Sequence, residues 1–208
     1  MDVSKINSLV ELFFKKAEEV DKKKPFLKWL NSKNNHQYNW EEVIENIFQL
    51  SHKIKKLIKA GDRVLLLSEN RPEWLISDIA IMNAGGITVP IFTTYSSADY
   101  EYILKDCSPS LIIVSTDIQY KKIDKFIENI KVMSFETIKA ESIVYQNIFK
   151  ESYEKEINKD LNRKTPACII YTSGTSGNPK GVILSHGGIL SNCEGALELL
   201  QPLIKKKD

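Results

Sequence analysis

Apolar residues recur at helical spacing through the first twenty positions. Ile6, Leu9, Val10, Phe13, Phe14, Ala17 and Val20 share one face, and Lys15, Lys16, Glu18 and Glu19 the other. The stripe predicts an amphipathic helix over residues 4–20, docked on the chain's own core, with peripheral contact at a membrane surface as the alternative. Residues 26–30 read as a short strand and the polar stretch 31–37 as a turn. A second stripe (Val43, Ile44, Ile47, Leu50, Ile54, Leu57, Ile58) predicts a helix over residues 40–60. Asn39 is its expected N-cap, with Glu42 three residues on, and Gly61 stands where a residue following the C-cap belongs.

From there short apolar runs alternate with helical patterns. Strands are expected at 64–68, 87–91 and 111–115, and helices at 72–84, 97–106 and 118–130. Pro72 sits in a first helical turn, Gly85 and Gly86 lie past that helix's end, and Ser108-Pro109 stops the next one. This alternation predicts an α/β fold, a layered and mostly parallel sheet flanked by helices. Residues 134–164 are charged and less patterned, with one exposed helix expected near 147–157. Order returns with a strand at 167–171, a loop at 172–181, a strand at 182–185 and a helix from His186 to about Leu200.

Composition narrows the classes. The chain has 208 residues, 42% of them hydrophobic, enough for a sizeable core. Net charge is 29 − 27 = +2, too balanced for a general nucleic-acid binder. Lysine supplies 26 of the 29 basic residues, which argues against Arg-based reading of bases or phosphates. Cys107, Cys168 and Cys193 are widely spaced and odd in number, so neither a disulfide framework nor a structural zinc site is expected. The longest apolar runs, at 64–67 and 111–114, fall far short of a membrane span, and the N-terminus has no signal-peptide pattern. The expected compartment is a reducing cytoplasm.

The candidate chemistry lies in Tyr171-Thr172-Ser173-Gly174-Thr175-Ser176-Gly177-Asn178-Pro179-Lys180-Gly181. Glycines let backbone N–H groups approach anionic oxygens, hydroxyls add short donors, and Lys180 adds a point charge, which suits a polyphosphate. A Ser/Gly-rich linker is the plain alternative, but linkers are not normally bracketed by strands. A Walker A loop fails, because Pro179 stands five residues after Gly174 and Lys180 is followed by Gly181. The dinucleotide fingerprint G-x-G-x-x-G is also absent.

That segment, continued by Val182-Ile183-Leu184-Ser185-His186, closely resembles the signature of the acyl-adenylate-forming enzymes, which include acyl-CoA synthetases, firefly luciferase and the adenylation domains of peptide synthetases. Gly61-Asp62-Arg63-Val64 and Asn70-Arg71-Pro72-Glu73-Trp74 resemble the first sheet unit of acyl-CoA synthetases. Ala84-Gly85-Gly86-Ile87-Thr88-Val89-Pro90-Ile91-Phe92-Thr93-Thr94 resembles the long-chain fatty acid branch. Gly188 stands where the family often has Asn.

The resemblance implies that residues 1–208 form the N-terminal part of an AMP-binding (adenylation) domain, with a phosphate-binding hairpin loop at 171–185. It implies a two-step reaction in which a fatty acid attacks the α-phosphorus of ATP, releasing pyrophosphate, and coenzyme A then displaces AMP. Thr172, Ser173, Gly174, Thr175, Ser176, Gly177, Lys180 and Gly181 would hold the phosphates, Thr172 would also reach Mg²⁺, and Lys180 would act in catalysis. The family's acidic Mg²⁺ partner, ribose-binding Asp and adenylation lysine all fall later than Asp208, so the 208 residues read as a fragment, inactive alone and missing the C-terminal portion of the same enzyme. The alternatives are a ligase for aromatic or medium-chain acids, or a non-catalytic nucleotide- or partner-binding piece. Trp29, Trp40 and Trp74 read as core or rim aromatics, His186 as a helix start, and Cys168 as an inert buried thiol.

Overall fold

In the computed structural model, which describes residues 2–30, 37–140, 142–148, 152–172 and 178–204, the N-terminal stripe folds in two pieces. A 3-10 turn over Val3–Lys5 precedes helix α1 (Leu9–Glu18). The single helix expected over 4–20 is broken at Ser8, whose hydroxyl accepts from the Glu11 amide and starts α1 afresh. Val10, Phe14 and Ala17 are buried, so the apolar face of α1 is covered by the protein's own core. Strand β1 (Pro25–Lys28) pairs antiparallel with β2 (Gln37–Asn39). It ends before Leu30, which is 78% exposed. The turn expected at 31–37 lies outside the described residues except for Gln37, which opens β2.

Helix α2 (Trp40–Lys55) opens with the expected reciprocal cap between Asn39 and Glu42. It stops short of residue 60, so Gly61 is not its capping glycine. Gly61 instead takes a left-handed φ of 83° in a later turn and donates its N–H to the Gly85 carbonyl at 2.8 Å. Strand β3 (Arg63–Leu67), helix α3 (Pro72–Asn83), strand β4 (Ile87–Ile91), helix α4 (Ser97–Cys107) and strand β5 (Leu111–Val114) follow as the pattern predicts.

Two later expectations are corrected. The helix expected at 118–130 is a four-residue α5 (Asp117–Tyr120) and a 3-10 turn at Asp124–Phe126. The chain turns between them to bury Ile123, and Asn129 at φ 58° redirects it into β6 (Lys131–Ser134). Successive short turns therefore satisfy an apolar spacing that a helix would also satisfy. Of the helix expected near 147–157, residues 149–151 lie outside the described residues, 147–148 close a short helix, and 152–157 are not helical. After β7 (Ile143–Val144) and α6 (Tyr145–Ile148), residues 152–159 cross α2 and α3 without regular structure. Asn83 holds them, its Nδ2 donating to the Glu156 carbonyl at 3.0 Å and its Oδ1 accepting from the Asn158 amide at 2.9 Å. Strands β8 (Pro166–Thr172) and β9 (Lys180–Ser185) then form the expected hairpin, and α7 (His186–Ile204) continues past Leu200 through Pro202.

Seven strands make one sheet in the order β7-β6-β5-β3-β4-β8-β9, parallel except for the β8–β9 pair. Val64 and Leu66 face one hydrophobic core with α1, α2 and α3, whereas Leu65 and Leu67 face a second core with Tyr100, Ile103 and Leu104 of α4. A strand buried on both faces reads as an unbroken apolar run, as β3 does. The chain steps from β3 to β4, then crosses back over β3 to β5 and continues outward to β6, so the connections leaving the neighbouring strands β3 and β5 run in opposite directions. In open parallel sheets such a reversal leaves a crevice at the C-terminal ends of the strands.

Candidate functional site

Strand β8 runs parallel to β4, so its final residues rise at the same end of the sheet as that crevice. The antiparallel return pairs Tyr171 with Gly181 and Thr172 with Lys180. One exposed hydroxyl and one exposed ammonium thus stand opposite each other at the mouth of the hairpin. Thr172, Lys180 and Gly181 are the predicted site residues that the structure brings together. Ser173, Gly174, Thr175, Ser176 and Gly177 lie outside the described residues, as does the expectation that their loop is open to solvent. The exposed Asn178 and buried Pro179 lead back into β9.

Packing gives Gly181 a reason of its own. A Cβ there would stand 3.0 Å from Ile169 Cγ2 and 3.1 Å from the Tyr171 ring. Tyr171 is 3% exposed, and burial together with the Asp106 carboxylate pushes its phenol far above the usual range. Its hydroxyl donates to Asp106 Oδ2 at 2.5 Å, and its carbonyl accepts from the Tyr95 hydroxyl at 3.0 Å.

Beside Tyr95 lies a cleft of about 360 Å³ lined by Thr93, Thr94, Ser97, Lys121, Lys122 and Lys125. Lys122 donates to the Thr93 carbonyl at 2.6 Å and Lys121 pairs with Asp117 at 2.9 Å. Two of its three ammonium groups are therefore already partnered, and the cleft is a basic hollow lined in part by hydroxyl side chains. These lysines fall in the segment 118–130 expected as one helix, which folds instead as a four-residue helix and a 3-10 turn. The remaining signal was the Thr93-Thr94 pair at the end of the quoted motif.

A larger cavity of about 760 Å³ opens at the opposite ends of the strands, near Gly61, Gly85, Ile87 and Pro166. Polar groups along it bond to one another, as in the Lys55–Glu156 ion pair at 2.9 Å, and it does not reach the hairpin mouth. Among the described residues no group of three or more His, Cys, Asp or Glu could hold a metal. Thr172 can offer Mg²⁺ one oxygen, which fits an ion held mainly by phosphate oxygens and water.

His186 is not a base in this arrangement. It is 1% exposed, burial pushes its imidazole down to about 4, and its Nδ1 accepts from the Leu9 amide at 3.3 Å. It starts α7 and ties that helix to α1. Trp40 stacks on Phe26 at 3.8 Å and Trp29 lies under the Arg71 guanidinium at 4.5 Å, so both are packing aromatics. Burial raises the Cys168 thiol to about 11, which leaves it unreactive at neutral pH. No helix among the described residues is long and apolar enough to cross a membrane.

Residues 13–205 match the family model described as AMP-binding enzyme. A long-chain-fatty-acid–CoA ligase of Bos taurus is 32% identical over 173 residues, covering 74% of this chain and 24% of the ligase. Another, of Mycobacterium bovis, is 30% identical over 159 residues, covering 72% of this chain and 26% of the ligase. The chain thus spans about a quarter of the length of these curated relatives. Among solved structures, an anthranilate CoA ligase in complex with anthranoyl-AMP superposes with a TM-score of 0.76 at 24% identity, over 90% of this chain and 37% of that one. A fatty acyl-adenylate ligase from L. pneumophila, in complex with acyl adenylate and pyrophosphate, gives 0.74 at 22% identity, over 95% and 33%. These likenesses show the fold.

Proposed function

Because this chain belongs to the AMP-binding enzyme family, we propose that it is the phosphate-binding part of a long-chain fatty acid–CoA ligase. The observation that carries the reading is the pairing of Thr172 with Lys180 at the hairpin mouth, within a segment that has the family's hydroxyl- and glycine-rich composition. Identity of 30–32% to long-chain ligases supports a fatty acid as the carboxylate.

In this reading the carboxylate attacks the α-phosphorus of ATP and pyrophosphate leaves. Carboxylates are poor electrophiles, and adenylation gives them a leaving group that the thiol of coenzyme A then displaces. The chain's own task is electrostatic. Lys180 places a fixed positive charge against the β- and γ-phosphate oxygens, where negative charge grows as pyrophosphate departs. Thr172 donates from the facing strand, and the loop between them supplies backbone N–H groups. Mg²⁺, when bound with the triphosphate, would supply further positive charge there, and Thr172 would offer it one hydroxyl oxygen. The chain spans about a quarter of the relatives' length, and the proposal assigns it the phosphate-binding task alone.

The test is calorimetric titration of the chain with Mg-ATP and with Mg-pyrophosphate. Both should bind, and Lys180→Ala should weaken both by tenfold or more, roughly the value of one charge-assisted contact. Binding equal in Lys180→Ala and the parent chain would overturn the assignment.

A further inference from the structure

We infer that Tyr95 is a positioning residue for the phosphate hairpin, its hydroxyl holding the backbone from which Thr172 projects. The inference rests on the phosphate-binding reading above and deepens it.

The reason lies in how weakly the hairpin is laddered to the sheet. Strands β3 and β4 share five paired residues, whereas among the described residues the register of β4 with β8 is confined to Thr88 opposite Cys168, low on both strands. On its other side β8 has only β9, which is the last strand of the sheet. The upper half of the hairpin, the half that carries Thr172 and Lys180, needs another anchor if its donors are to be fixed before an anion arrives. Fixed donors are what electrostatic stabilisation requires.

Tyr95 supplies that anchor. It lies beyond β4, where the ladder has already stopped, and donates to the carbonyl of Tyr171, the residue immediately before Thr172, at 3.0 Å. Tyr171 is constrained on two further sides. Its hydroxyl reaches Asp106 in α4, and its ring lies against Gly181 on the facing strand. Tyr95 is itself held edge-on by Phe92 at 5.4 Å and Tyr100 at 6.2 Å. Tyr100 makes a comparable bond elsewhere in the cluster, donating to the Phe92 carbonyl at 3.0 Å. The Tyr95 hydroxyl therefore acts on the hairpin and the Tyr100 hydroxyl on the loop beneath it.

Tyr95→Phe removes the one oxygen and keeps the ring contacts, and Tyr100→Phe removes an oxygen of the same kind from the same aromatic cluster. Two readouts separate them: calorimetric binding of Mg-pyrophosphate, and amide exchange at Thr172 and Lys180 by NMR, taken relative to exchange at Leu65 and Leu66 in the central strand. Tyr95→Phe should weaken pyrophosphate binding about fivefold and speed relative exchange at both amides by a similar factor, the loss expected for one hydrogen bond. Tyr100→Phe should leave both unchanged. Equal behaviour of the two variants would overturn the positioning role. Failure of the parent chain to bind pyrophosphate would sink the phosphate reading instead, and the exchange data would still decide whether Tyr95 holds the hairpin.

Discussion

At the scale of single residues, Lys180 and His186 illustrate two opposite uses of a titratable group. Lys180 is exposed at a hairpin mouth, and its value lies in compactness as much as in charge. Lys180→Arg should recover only part of the binding lost in Lys180→Ala, because a planar fork does not replace a compact ammonium against phosphate oxygens. Calorimetry on the three proteins checks this ordering. His186 is buried, and its folded-state value of about 4 lies below the ordinary 6.5. Between those values the unfolded chain binds a proton that the folded chain refuses. The stability His186 contributes is therefore complete above about pH 6.5, and it falls by up to about 1.4 kcal/mol per pH unit as the solution is acidified toward pH 4. Asp78 works the other way. Burial raises its carboxyl to about 6, so it takes up a proton more readily when folded and gains stability on acidification below that value. Comparing urea midpoints of the parent and His186→Gln from pH 7 to pH 4.5 isolates the histidine. Its pH dependence should be the steeper one in the parent, and parallel curves would contradict the assignment.

Helices and strands show which signals in the sequence were sufficient. The cap at Asn39 and Glu42, Pro72 at the start of α3 and the buried run of β3 are each local, and each formed as read. Residues 118–130 and the segment near 147–157 differ from expectation because their apolar spacing or charge admits more than one backbone. The choice is made by contacts to distant elements, such as the Asn83 side chain that captures Glu156 and Asn158. The hairpin was legible because strands bracketed it, but the basic cleft beside it was not, since its lysines come from a segment whose fold was misread. Helix α7 offers a contrast within one element. Gly187 donates to the Arg163 carbonyl at 2.8 Å, and a Cβ there would stand 2.7 Å from that same oxygen. Gly195 has nothing within 4 Å of such an atom. Gly187→Ala should destabilise by about 1–3 kcal/mol through overpacking, whereas Gly195→Ala should stabilise by roughly 0.5–1 kcal/mol through helix propensity. Thermal melts of the two variants, shifted in opposite directions, are the expected result.

For the whole molecule, the proposal gives these residues the phosphate donors of one hairpin at one edge of the sheet. Acyl transfer needs donors around the whole reacting centre with water excluded. The 208 residues alone, given ATP, Mg²⁺, palmitate and coenzyme A, should therefore bind nucleotide without sustained formation of AMP and thioester. Turnover above that of Lys180→Ala would show that a complete site is built from these residues. The pairing of Thr88 with Cys168 carries a consequence for the order of folding. The two residues are separated by every element from α4 to α6, so the contact closes a long loop, and contacts of that kind form slowly. Recovery of pyrophosphate binding during refolding should lag behind recovery of helical signal, which makes ligand binding a late reporter of native assembly.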